Sequence, residues 1–185
     1  TSLALAESLK PFNLLFLEDP IQIDSIESQG SIARRTSVPV GNGERLNSIW
    51  EFRELLQHGG PQYVRPDLGT AGGLTHCKKI AAIAESFHCA VATHNFLGPL
   101  ITAASIHLDV AIPNIVTQEY TLEDESEINK VYRNSNRRDG GFMPAPSAEG
   151  LGIEIDDSIL KDLEFKPLRE GDLPFRDDGS VAYSV

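Results

Sequence analysis

Cysteine, methionine and tryptophan are scarce, at two, one and one residues in a chain of 185. Two cysteines, Cys77 and Cys89, cannot staple a chain of this size, and their spacing matches no zinc motif. Both are expected as buried free thiols in a reducing compartment. No apolar run approaches the roughly 20 residues that span a bilayer, and no stretch reads as a signal peptide. The expectation is therefore a cytoplasmic protein with no membrane partner. Clustered positive charge is also missing. Sixteen Lys and Arg stand against 27 Asp and Glu, a formal net charge of −11. Phosphate contacts need grouped Lys and Arg, so nucleic acid is excluded as a partner. What remains is a soluble composition, 41% hydrophobic and 23% charged, in a length that supports one sizeable core.

Five ionisable side chains each close a short apolar run: Glu18 in LLFLEDP, Glu44 in VPVGNGER, Asp67 in YVRPD, His94 in AVATHN and Glu119 in IVTQEY. Their positions differ by 26, 23, 27 and 25 residues. A strand followed by a helix takes roughly 25–31 residues, eight such units making a barrel of about 250. Five strands thus deliver one ionisable group each to the same end of a parallel sheet. In a (β/α)₈ barrel that end carries the active site. Singly, each acid would be an ordinary solvated loop carboxylate; in register they form a set.

The intervening sequence supports this rhythm. Leu3, Ala6 and Leu9 mark an amphipathic helix, Asn13–Glu18 a strand, and Asp24 with Glu27 a capping-box start for a helix to Arg35. Val38–Gly41 is the next strand. Ser48 and Glu51 cap a helix with Ile49, Phe52, Leu55 and Leu56 on one stripe, where Trp50 is also expected to pack. Tyr63–Arg65 and Cys89–Thr93 read as strands flanking a helix spaced by Leu74, Cys77, Ala81, Ala84 and Phe87. Pro99 opens a helix to about Asp109, and Ile115–Gln118 is the fifth strand. Apolar strands alternating with helices imply parallel pairing through right-handed crossovers, both sheet faces being covered. Beyond Tyr120 the rhythm ends. The acidic run Glu123–Glu127 reads as a solvated helix start, with a helix at Ile128–Arg133, a loop over 134–150 and a short strand at Gly152–Ile155.

Chemically, two glutamates at adjacent strand ends suit a hard divalent cation such as Mg²⁺, which takes oxygen ligands and keeps some waters. Glu18 and Glu44 are the candidates, and a third ligand is expected from elsewhere. An aspartate bonded to a histidine fixes its tautomer and favours the imidazolium, so Asp67 and His94 suit a general base. Glu119 can hydrogen-bond a substrate oxygen. Asn42, Arg45 and Asn95 lie within reach of the same rim. His58, His76, His88 and His107 fall on helical or loop patterns and are expected to do no chemistry. A base beside a divalent ion points to proton removal α to a carboxylate, where the cation stabilises the enediolate.

The strings FLEDP, VGNGER, VRPDL, AGGLTHCKKIAAIAE, THNFLGPL and PNIVTQEY resemble the enolase superfamily, and within it the mandelate-racemase-like acid-sugar dehydratases of the galactonate dehydratase group. The likeness runs from Asn13 to Tyr120, and more weakly through GLGIEID and the tail PFRDDGSVA. It implies an α/β fold in which residues 1–120 form strands four to eight of a (β/α)₇₋₈ TIM-like barrel. Residues 121–185 would then supply a last helix, a loop and a tail packing on the barrel or on a capping domain. By the same resemblance Glu18 and Glu44 are Mg²⁺ ligands, Asp67 and His94 the catalytic dyad, and Glu119 a contact to the substrate carboxylate region. The implied reaction dehydrates an aldonate or aldarate to a 2-keto-3-deoxy acid. Racemisation or epimerisation on the same intermediate is the alternative, and a non-catalytic relative a third. The third metal ligand falls before Thr1, so the chain is expected to be part of a longer polypeptide whose N-terminal remainder completes the site. A homo-oligomer is expected of such a protein.

Overall fold

A computed structural model of the chain describes residues 1–22, 25–134, 136–164 and 178–179. Helices and strands alternate through the first 118 residues: α1 Ser2–Leu9, β1 Leu17–Glu18, α2 Ile26–Arg35, β2 Val40–Asn42, α3 Ile49–Gln57, β3 Tyr63–Val64, α4 Gly73–Ser86, β4 Ala90–Thr93, α5 Pro99–Val110 and β5 Ile115–Gln118. The strands pair in parallel in the order β1-β2-β3-β4-β5, so each of α2 to α5 is the crossover to the neighbouring strand, and α1 precedes the sheet. This is the α/β architecture of a TIM-type barrel's C-terminal part, as expected. The register is regular except between β4 and β5. There Val91 pairs with Ile115, but Ala92 pairs with Thr117, which leaves one extra residue in β5.

Local chemistry sets the helix starts. The Ser25 side chain accepts from the Ser28 N–H and caps α2; Asp24, expected to cap it, lies outside the described residues. At α3 the Ser48 Oγ accepts from the Glu51 N–H, while the Glu51 carboxylate accepts from the Ser48 hydroxyl and the Asn47 N–H, a reciprocal cap of the expected kind. The helices lay their apolar faces on one side of the sheet. The core there comprises Phe52, Leu55 and Leu56 of α3, Cys77, Ile80, Ala81 and Ala84 of α4, Leu108 of α5, and Val64 and Val91 of the strands. Burial pushes both thiols, Cys77 and Cys89, up to about 12, so they stay protonated and inert. Trp50 is 59% exposed, contrary to the packing expected of it, because the buried stripe runs through Phe52, Leu55 and Leu56. The edge strands β1 and β5 are partly exposed, so only the central strands meet the expectation of cover on both faces.

After β5 the chain departs from expectation. Residues Glu123–Glu125 and Glu127–Val131 form 3₁₀ turns, and Tyr132–Arg133 is a strand, β6, where a helix was expected. β6 pairs antiparallel with β7, Glu154–Ile155, ahead of the short α6, Asp157–Leu160. Backbone pairing with the Gly152–Ile155 segment thus outweighs the local helical pattern. The tail PFRDDGSVA falls almost wholly outside the described residues. Among the described residues no helix is long and apolar enough to cross a membrane.

A half-buried carboxylate makes the helix–sheet contact sensitive to pH. The Thr93 hydroxyl of β4 donates to Asp109 Oδ1 of α5 at 2.6 Å, and burial pushes the Asp109 carboxyl up to about 7. The folded state therefore keeps a proton that the unfolded chain releases near 3.8. Stability contributed by this group is complete below 3.8 and is lost as pH rises through 7. Asp109→Asn keeps an acceptor for Thr93 and removes the charge. Urea unfolding at pH 5 and pH 8 should show the variant gaining on the wild type by on the order of 2–4 kcal/mol at the higher pH. A parallel pH dependence of the two proteins would refute this assignment.

Candidate active site

The ladder of hydrogen bonds continues past the strand ends and aligns the five ionisable residues. The Asp19 N–H donates to Gly41 O at 3.0 Å, Arg65 N–H to Asn42 O at 2.9 Å, His94 N–H to Pro66 O at 3.2 Å and Glu119 N–H to Thr93 O at 3.3 Å. Asp67 and His94 form a parallel bridge of their own. Side chains two apart along a strand share a face, so Phe16 with Glu18, and Tyr63 with Arg65 and Asp67, line one side of the sheet. The contacts agree. The Phe16 and Tyr63 rings lie 5.3 Å apart, and the Arg65 guanidinium sits over Phe16. Gly41 admits that ring, since a Cβ there would lie 2.8 Å from Phe16 Cδ2. At Gly43, φ is +130° and a Cβ would meet Phe52 Cε1 at 2.6 Å, so glycine makes the turn that carries Glu44.

His94 is the centre of the site. Its Nδ1 lies 2.7 Å from Asp67 Oδ2, and both residues are buried. The other Asp67 oxygen accepts from the Gly69 N–H at 2.6 Å, so the carboxylate is held from two sides. His94 Nε2 faces Glu44 Oε2 at 3.3 Å and Glu119 Oε2 at 3.9 Å. Burial pulls the imidazole pKa down, but the Asp67 hydrogen bond and the charges of Glu44, Glu119 and Asp67 outweigh it, and the net shift is upward.

Glu18 and Glu44 stand at adjacent strand ends. Burial raises the Glu18 carboxyl; Arg65 opposes this, and the charges of Glu44, Glu119 and Asp19 add to it. Two hard oxygen donors that repel each other in this way suit a divalent cation in type. Among the described residues no group of three or more His, Cys, Asp or Glu is placed to hold a metal ion.

The three rim candidates divide. Arg45 is exposed, and its Nε donates to Glu44 Oε1 at 3.3 Å. Asn42 is fully buried, and its amide donates to Asp19 Oδ1 at 2.7 Å and Gln29 Oε1 at 2.8 Å. Asn95, also buried, donates its backbone N–H to Glu119 Oε2 at 3.0 Å and its side-chain amide to Thr102 Oγ1 at 2.6 Å. Thr102 in turn donates to Glu123 Oε1 at 2.6 Å. Glu123, expected on a solvated helix start, is 3% exposed, because this hydroxyl–amide chain holds its carboxylate against the wall behind Glu119.

Sequence reasoning overlooked Arg65, the cation that lies between Glu18 and Glu119, and Asp19, whose carboxyl is raised by burial despite the bond from Asn42. The available signal for Arg65 was its place two residues before Asp67 on the same strand face.

Residues 1–159 match the protein family described as Enolase C-terminal domain-like. Curated relatives include the D-galactonate dehydratases of Ralstonia nicotianae, 36% identical over 84% of this chain and 42% of that protein, and of Xanthomonas oryzae pv. oryzae, 38% identical over 97% of this chain and 49% of that protein. The chain thus spans about half the length of the curated relatives it matches. Among solved structures, a mandelate racemase/muconate lactonizing enzyme from Jannaschia sp. is 35% identical, with a TM-score of 0.85 over 91% of this chain and 43% of its own. An enolase from Agrobacterium radiobacter, a candidate galactarate dehydratase bound to sodium and L-malate, is 27% identical, with a TM-score of 0.89 over 99% of this chain and 50% of its own.

Proposed function

The chain belongs to the Enolase C-terminal domain-like family, and from that premise we propose that it carries the proton-abstracting part of a sugar-acid dehydratase of the galactonate dehydratase kind. The observation that carries this reading is His94, gripped at Nδ1 by Asp67 with Nε2 left facing Glu44 and Glu119. Glu18 and Glu44 would hold Mg²⁺ together with a ligand from the remainder of a longer polypeptide, and the ion would supply positive charge to the substrate carboxylate as its α-carbon becomes acidic. His94 Nε2 takes the C2 proton. Asp67 keeps the ring in the tautomer that leaves Nε2 free and stabilises the imidazolium that forms. Glu119, pinned by Asn95 and Arg65, fixes the substrate's carboxylate end, and Arg45 at the open rim meets its hydroxyls. Asn42 acts through Asp19, beside the Glu18 ligand. Departure of the C3 hydroxyl as water, protonated by an acid from the same remainder of the longer polypeptide, gives an enol that becomes the 2-keto-3-deoxy acid.

The protein in its full natural length, supplied with Mg²⁺ in D₂O, should convert D-galactonate or another aldonate or aldarate to a 2-keto product. Deuterium entering at C2 without a keto product would assign racemisation or epimerisation instead. Neither product nor exchange across an aldonate and aldarate library would overturn both.

A further inference from the structure

Among the described residues Arg65 is the one buried arginine or lysine, with 4% of its side chain exposed. It follows β3, and its backbone N–H donates to Asn42 O at 2.9 Å. Its guanidinium bridges strand ends on opposite sides of the sheet. Nη2 donates to Glu119 Oε2 at 2.8 Å, and Nε lies 2.5 Å from Glu18 Oε1. The Phe16 ring supports the guanidinium carbon at 5.3 Å.

The two carboxylate contacts are unlike each other. The Glu119 contact is an aligned hydrogen bond. The Glu18 contact is close, but Nε–H is not directed to donate, and the buried Nε has no hydrogen-bond acceptor. Arg65 is thus fastened to Glu119 and Phe16, and meets Glu18 as a bare charge. Glu18 keeps 41% of its side chain exposed, so another cation can reach it from solvent while Arg65 stays anchored.

We infer that Arg65 is a resident counter-cation for Glu18: it neutralises this carboxylate when no divalent ion is held, gives way at Nε when one binds, and so sets how tightly the ion is held. The inference rests on Glu18 being a metal ligand, as proposed above. Two cations sharing one carboxylate repel across a few ångströms of partly dry protein, enough to weaken binding by about tenfold or more. Arginine suits the role because it cannot shed its charge, and its planar fork stays bonded to Glu119. Arg65 is a positioning residue in this sense, acting through Glu18.

The test is a Mn²⁺ titration read by electron paramagnetic resonance, comparing the wild-type protein in its full natural length with its Arg65→Gln and Arg65→Lys variants. Arg65→Gln should bind Mn²⁺ about tenfold or more tightly than wild type, and Arg65→Lys should stay near wild type. A damaged fold loosens metal binding, so tightening has the opposite sign to a merely structural effect. A second measurement needs no variant: the Arg65 Nε–H resonance of the full-length wild-type protein should move as Mg²⁺ saturates. Equal or weaker binding by Arg65→Gln, or an unmoved Nε resonance at Mg²⁺ saturation, would overturn the inference and leave the ligand assignment standing. If neither wild type nor variant binds a divalent ion, the assignment of Glu18 and Glu44 falls, and the inference with it.

Discussion

His94→Asn should slow deuterium entry at C2 of a sugar-acid substrate by on the order of 10²–10⁴-fold, because a positioned general base contributes about that much to proton transfer. Asparagine keeps a polar group within the pocket and can still meet Asp67 Oδ2, which accepts from Nδ1 at 2.7 Å in the wild type. It has nothing at the Nε2 position, the atom that faces Glu44 and Glu119. Metal affinity is the informative companion measurement. Glu44 lies 3.3 Å from Nε2 and keeps Arg45 as a second partner, so binding of Mg²⁺ should survive the substitution. Loss of metal binding would make His94 a support for the Glu44 ligand rather than the base. Undiminished exchange would move the base elsewhere.

The second large effect is on stability. Phe52→Ala should cost about 3–5 kcal/mol in urea unfolding, the range for emptying a fully buried aromatic site. Phe52 has no exposed surface and belongs to the cluster that joins α3 to α4 and the sheet. Its ring also fills the space beside Gly43, at the turn that presents Glu44. Cavity formation should therefore reach the rim: the variant should hold Mg²⁺ more weakly even at temperatures where it remains folded. A cost under about 1 kcal/mol would mean that the surrounding helices collapse onto the gap.

The repeating units were legible because each has its own local signals. The fifth strand, Ile115–Gln118, matches expectation residue for residue, since a β-branched apolar run bounded by Pro113 and Asn114 admits little else. Ser48 and Glu51 announced α3 by a cap whose chemistry lies within four residues. The five ionisable strand ends were likewise readable, because spacing alone puts them at one level of a parallel sheet. What escaped depends on contacts distant in sequence. Arg65 is 54 residues from Glu119, its aligned partner, and nothing local marks it as a bridge. Glu123 looked solvated amid acidic neighbours, yet Thr102, 21 residues earlier, holds it inside. The segment Ile128–Arg133 carried a helical pattern that lost to pairing with Glu154–Ile155. Local preference decides the regular units here, and long-range pairing decides the rim and the last segment.

The extra residue in β5 has a consequence for inheritance of the site. Were the pairing of Val91 with Ile115 continued without interruption, Gln118 would come level with His94 and Glu119 would turn toward the helices. The irregularity reverses that parity and brings the glutamate to the histidine's side. Deletion of one residue between Ile115 and Thr117 leaves Glu119 in place and merely straightens the strand. Deletion of Gln118 does the same, since Val116, Thr117 and Glu119 then fall level with Ala92, Thr93 and His94, whereas loss of a second residue turns the acid toward the helices. One loss and two losses in this short strand therefore have opposite fates, and length variation in this family should be tolerated at one residue between Ile115 and Glu119 and purged at two.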